Sequence, residues 1–200
     1  MSTKTIDEIN FQLSQFQDAV DDLEHGFPDT DVFGDVRARS PVIHRYKIHH
    51  LIKNTSEESI PSGLLTKNER INKQFDQFVS SHREVYLQAL FDELDWFVSQ
   101  YPQIVCSFMK LDPVDTELSE TLDRRDTMEI LLSVLKEQNK SEKFINKQSI
   151  KHAQIKMNAL DDVLKCEFEN NLDDILTNHS HITRPYLPDD FWWRHPKKLK

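Results

Sequence analysis

Residues 3–25 read TKTIDEINFQLSQFQDAVDDLEH, and six apolar side chains punctuate them: Ile6, Ile9, Leu13, Phe16, Val20 and Leu23. Their separations alternate between three and four, which draws one stripe along an α-helix at the period of a packed helical seam. Gly26 stands where a helix C-terminus wants a residue free to turn, and Pro28 follows two positions on, so the helix should end near His25. The opposite face carries Asp7, Asp18, Asp21, Asp22 and Glu24 and should be solvated or meet a basic surface. The stripe is either core or a seam for another chain, which would make it the route to a homo-oligomer through residues 6–23.

Working outward, the same periodicity recurs. Ser40-Pro41 predicts the cap and first turn of a second helix reaching Asn54. Residues 54–65 read as a surface loop. Thr66-Lys67-Asn68-Glu69 has the form of a capping box opening a long helix to about Gln100, with Pro102 ending or kinking it. A short helix should cover 103–110, a fifth 115–139, and a sixth should start near Ser141-Glu142, run to about Leu176 and break near Asn170-Asn171. No alternating β-branched run extends beyond four residues, so strands are not expected. The fold class is all-α: an irregular bundle of five to six helices over 1–178, followed by an irregular aromatic strap or tail, 179–200.

Composition agrees. Three glycines in 200 residues are too few for phosphate-cradling loops or tight β-turns, and 30% charged residues suit helices joined by polar loops. Cys106 and Cys166 have neither CxxC spacing nor a histidine partner nearby and read as buried, reduced thiols. The N-terminus lacks the apolar core of a signal peptide and no run approaches 18 apolar residues, so the expectation is a cytoplasmic protein with no membrane span.

The net charge of −9 is segregated. Residues 1–34 hold one lysine against eight acids, whereas Arg37, Arg39, Arg45, Lys47 and Lys53 crowd into 37–53 beside His44, His49 and His50. This basic segment is a candidate binding surface for phosphates or an acidic partner, or an internal counterpart of the acidic first helix. Within it, Arg39-x4-His44-x-Tyr46 resembles the short motif of HEPN-type helical ribonucleases. That resemblance implies a metal-independent ribonuclease in which His44 moves the proton and Arg39 stabilises the phosphate.

In the tail, Tyr186, Phe191, Trp192, Trp193 and Arg194 are residue types that favour interface centres. They either strap down over a groove between helices or anchor in a partner. Stacking of the tryptophans on bases is the nucleic-acid variant of that reading. His179, His181, His195 and Asp189-Asp190 lack the spacing of a metal site, so no metal or cofactor is expected. The favoured reading is a non-catalytic interaction or regulatory protein with a protein partner. The nucleic-acid binder and the HEPN-like ribonuclease are the alternatives.

Overall fold

The computed structural model describes residues 3–27, 37–110, 115–138 and 145–199. Among them it is all-α, as the periodicity predicts, with no strand and with seven α-helices where five to six are expected. The chain divides into two compact units, 1–93 and 94–200.

Unit 1 holds α1 (Thr3–Gly26), α2 (Arg39–Lys53), α3 (Ser62–Ser81) and the first part of α4 (Arg83–Lys110). α1 packs on α2 and α3. Ile9, Leu13, Phe16, Val20 and Leu23 are fully buried, against a core that includes Val42, Ile48 and Leu51 of α2 and Ile71, Phe75 and Phe78 of α3. Each such side chain contributes roughly 1.5–3 kcal/mol by leaving water. The α1 stripe is therefore spent inside its own unit, and these five residues offer no seam to a second chain. Tyr86 ties the start of α2 to α4: its hydroxyl donates to the Ala38 carbonyl at 2.6 Å inside a cluster of Phe75, Phe78 and Phe27.

The long helix expected over 66–100 is broken at His82. Ser80 and Ser81 donate their hydroxyls to the Asp76 and Gln77 carbonyls, and the His82 backbone N–H bonds to the Phe78 carbonyl. Side-chain bonds to the helix's own carbonyls compete with its continuation. The His82 carbonyl then accepts from Tyr86 N at 2.8 Å and opens α4. α3 begins at Ser62, before the Thr66 box, because the Pro61 carbonyl accepts the first helical bonds from Leu64 and Leu65. α2 likewise starts at Arg39, with Ala38 at its cap position, one residue ahead of Ser40.

Unit 2 contains the remainder of α4, α5 (Asp115–Gln138), α6 (Lys147–Asn170), α7 (Leu172–Asn178) and short 3-10 turns over 180–182, 192–194 and 196–199. α4 continues through Pro102 instead of ending there. The missing N–H costs about 3 kcal/mol in a helix interior. It is offset by burial of Val98, Tyr101 and Val105 around it and by a 2.5 Å hydrogen bond from Tyr101 to Asp161. α5 is the centre of this unit: Arg125, Asp126, Met128, Ile130, Leu131, Leu132 and Leu135 are buried, which surrounds the helix on several sides. α6 is capped by Asn146, whose side chain accepts from Gln148 N, and the helix breaks at Asn171. The Pro28, Pro113 and Ser141-Glu142 signals lie outside the described residues.

Cys106 and Cys166 are exposed rather than buried. α6 turns Ile150, Ala153, Met157, Leu164 and Phe168 inward, and at 100° per residue Cys166 falls on the far side of the helix from that face.

Candidate functional site

The basic residues of α2 are divided among neighbouring helices. Arg39 donates to Glu93 Oε2 of α4 at 2.7 Å, with the carboxylate almost wholly buried. Arg45 forks onto both oxygens of Asp76 of α3, at 2.6 and 3.4 Å, and lies 5.5 Å over the Phe75 ring. His44 faces α1, where its Nδ1 is 2.7 Å from Gln12 Oε1. The amide oxygen only accepts, so Nδ1 carries the proton and donates. Five residues on a helix turn through about 140°, which sends Arg39 and His44 to different neighbours. Arg37, Tyr46 and Lys47 are half-buried, and the Tyr46 ring lies 4.5 Å from that of His50. α3 and α4 supply the carboxylates for Arg45 and Arg39.

Burial, reinforced by the Lys47 charge, pushes the His44 imidazole down from 6.5 to about 4. At neutral pH it is uncharged and holds almost none of the second proton that an acid catalyst must give. Its pKa also sets a stability window. The unfolded imidazole takes up a proton below about 6.5 and the folded one only near 4, so the unfolded state binds more protons between those values. Stability is therefore full above pH 6.5 and falls as the pH drops to 4, by up to about 3 kcal/mol. Urea titrations at pH 7 and pH 4.5 should show this loss in the parent and a smaller one in His44→Gln. Equal losses in both would remove His44 as the cause.

Beside this segment lies a concavity that the sequence did not single out. A pocket of about 200 Å³ is lined by Arg45, His49 and Ile52 of α2 and by Asn68 and Asn72 of α3. It shares Asn68 and Asn72 with a shallow, open groove of about 760 Å³ whose lining comes from α3 alone, past Lys73, Asp76, Gln77 and Ser80 to Ser81. The two rows, Asn68-Asn72-Asp76-Ser80 and Glu69-Lys73-Gln77-Ser81, repeat every four residues and so run side by side along α3. The spacing was readable, but a polar row is also what any solvated helix face shows. The groove's ionic lining balances, Arg45 and Lys73 against Glu69 and Asp76.

In unit 2 the strap is docked. Phe191, Trp193 and Arg194 are buried, while Tyr186 and Trp192 are half-buried, with Trp192 edge-on to Phe168 at 5.6 Å. Asp126 of α5 accepts from Trp193 Nε1 at 2.8 Å, from Arg194 Nε at 3.0 Å and from Arg194 Nη2 at 2.7 Å. Arg194 also bonds Asp123 and the Ile182 carbonyl. Arg125 lies 4.2 Å over the Trp193 ring and pairs with Asp161 at 2.6 Å and Glu129 at 2.9 Å. Burial alone would lower the Arg125 pKa, but the Asp161 hydrogen bond and the neighbouring carboxylates raise it, so it stays charged. Burial and the Asp161 charge raise Tyr101, which stays protonated and donates. The signal for this network was present as Asp123-Arg124-Arg125-Asp126 set among leucines mid-helix.

His195 Nε2 lies 2.9 and 3.1 Å from the Leu187 and Pro188 carbonyls, and His179 Nε2 lies 3.4 Å from Asp174 Oδ2. Among the described residues no three His, Cys, Asp or Glu side chains gather as a metal site, and no helix is long and apolar enough to cross a membrane. The chain matches no protein-family model, and comparison with curated proteins and with solved structures finds no match.

Proposed function

We propose that the protein is a non-catalytic interaction module whose shallow polar groove along α3, with the small pocket that α3 forms against α2, holds an extended, polar segment of a protein partner. The observation that carries this reading is the groove itself. Its amides, hydroxyls and balanced charges supply hydrogen bonds to a peptide backbone without attracting a polyanion. Asn68 to Ser81 spans about 20 Å of helix, the length of roughly six extended residues. The disposition of Arg39 and His44 on different neighbours supports a binding role over proton-transfer chemistry. Two exposed free thiols favour a reducing compartment, in keeping with a cytoplasmic setting.

Gln77→Arg places a bulky cation on the exposed groove wall, where it should leave helicity and melting temperature unchanged. Capture of partners from nuclease-treated lysate at physiological salt should recover a protein with the parent chain and at least tenfold less of it with Gln77→Arg. Equal recovery by both, or recovery abolished by the nuclease, would overturn the reading.

A further inference from the structure

The outward face of α6 is apolar where a helix of a solvated unit should be polar. Ile155 is 52% exposed and Val163 39%, with Ala159 midway between them and also exposed. At 100° per residue, Gln148, His152, Ile155, Ala159, Val163 and Cys166 form one stripe on the side of the helix away from the unit's core.

Charge along this helix is arranged against its own dipole. The first half, 147–158, carries Lys147, Lys151 and Lys156 with no acid. In the second half Asp161 is engaged inward with Arg125 and Tyr101, and the charges left are Asp162, Glu167 and Glu169 against Lys165. A helix by itself favours acids near its N-terminus and cations near its C-terminus. The reversed order finds its complement in a second helix of the same sequence running the other way.

We infer that α6 is a self-association surface, on which a second copy of this chain lies antiparallel about a two-fold axis at Ala159. Symmetry about residue 159 sets Ile155 against the partner's Val163 and His152 against the partner's Cys166. Lys151 falls on the same flank as the partner's Glu169. The small side chain at the axis lets the helices approach. A parallel pair would set lysines against lysines and is rejected by the same charges. The interface is self-complementary, as a two-fold dimer requires. One face of a 24-residue helix, about 36 Å by 10 Å, falls short of the roughly 800 Å² per partner of a standard interface. The dimer is therefore weak and concentration-dependent. It lies in unit 2 and does not depend on the groove of unit 1.

Sedimentation equilibrium of the full chain from 5 to 300 µM should show a monomer–dimer equilibrium that weakens with salt. Ile155→Arg, at an exposed position, should raise the dissociation constant at least tenfold. Lys151→Glu should raise it about fivefold, and adding Glu169→Lys should restore it. In a background of Cys106→Ser and Cys166→Ser, A159C should give a disulfide-linked dimer under mild oxidation, and N158C, turned off the stripe, should not. A monomer at every concentration, a dimer indifferent to Ile155→Arg, or equal cross-linking through both cysteine variants would overturn the inference.

Discussion

Asp126→Ala should destabilise unit 2 by about 3–5 kcal/mol, because it strips the main counter-charge from a guanidinium that cannot reach water. Arg194 is 0% exposed, and Asp126 accepts from both its Nε and its Nη2 as well as from Trp193 Nε1. After the substitution, Asp123 remains as an ionic partner, but it is half-exposed and meets only one corner of the guanidinium. Leaving a buried cation and an indole N–H without acceptors costs more than the pair contributes net, since the intact pair has already met its desolvation cost. Urea denaturation followed by tryptophan emission should show a lower midpoint and a red-shifted native spectrum as the strap lifts. Asp126→Asn, which retains an acceptor but no charge, should fall between parent and alanine. A loss under about 1 kcal/mol with an unshifted spectrum would mean that the strap is held by its apolar contacts alone.

Phe16→Ala should cost unit 1 about 3–5 kcal/mol, the range for deleting a fully buried aromatic ring. Phe16 is 0% exposed and meets Phe75 edge-on at 5.8 Å, so the substitution removes burial and leaves a cavity between α1 and α3. Phe11 supplies the internal control. It lies on the same helix but is 56% exposed, so Phe11→Ala should stay within about 0.5 kcal/mol. Amide hydrogen exchange read over α1 and α3 should speed up strongly in the first variant and barely in the second. Equal effects would mean that the seam does not hold the unit together.

The alternation of three and four in 6–23 located the core of unit 1 because that helix buries one face only, the case in which periodicity carries most information. The bounds of α5 and the break at Asn171 were legible for local reasons, as were the aromatics of the strap. Three features were not legible, one for a local reason and two because their partners lie far away in sequence. The break at His82 comes from Ser80 and Ser81 back-bonding onto their own helix, and a serine pair is equally at home inside one. The passage of α4 through Pro102 rests on Tyr101 meeting Asp161, 60 residues on. The network beneath the strap joins positions 67 and 68 residues apart, and in sequence its acids resemble any solvated Asp. Exposure of the two cysteines follows the same logic, since hydrophobic character alone put them inside and helical phase put them outside. At the groove the difficulty is chemical: amides and hydroxyls at four-residue spacing along one exposed helix face read as ordinary solvated surface.

The central claim, that the shallow groove along α3 receives a partner's polar segment, is tested most directly by site-specific photo-crosslinking in cells. A benzophenone amino acid would be placed at Asn72 or Gln77 in the groove and, as control, at the exposed Glu84 at the start of α4. A discrete cross-linked protein band from both groove positions, absent at Glu84 and unchanged by nuclease, is the predicted result. Cross-links to nucleic acid, or the same band from Glu84 with none from the groove, would contradict it.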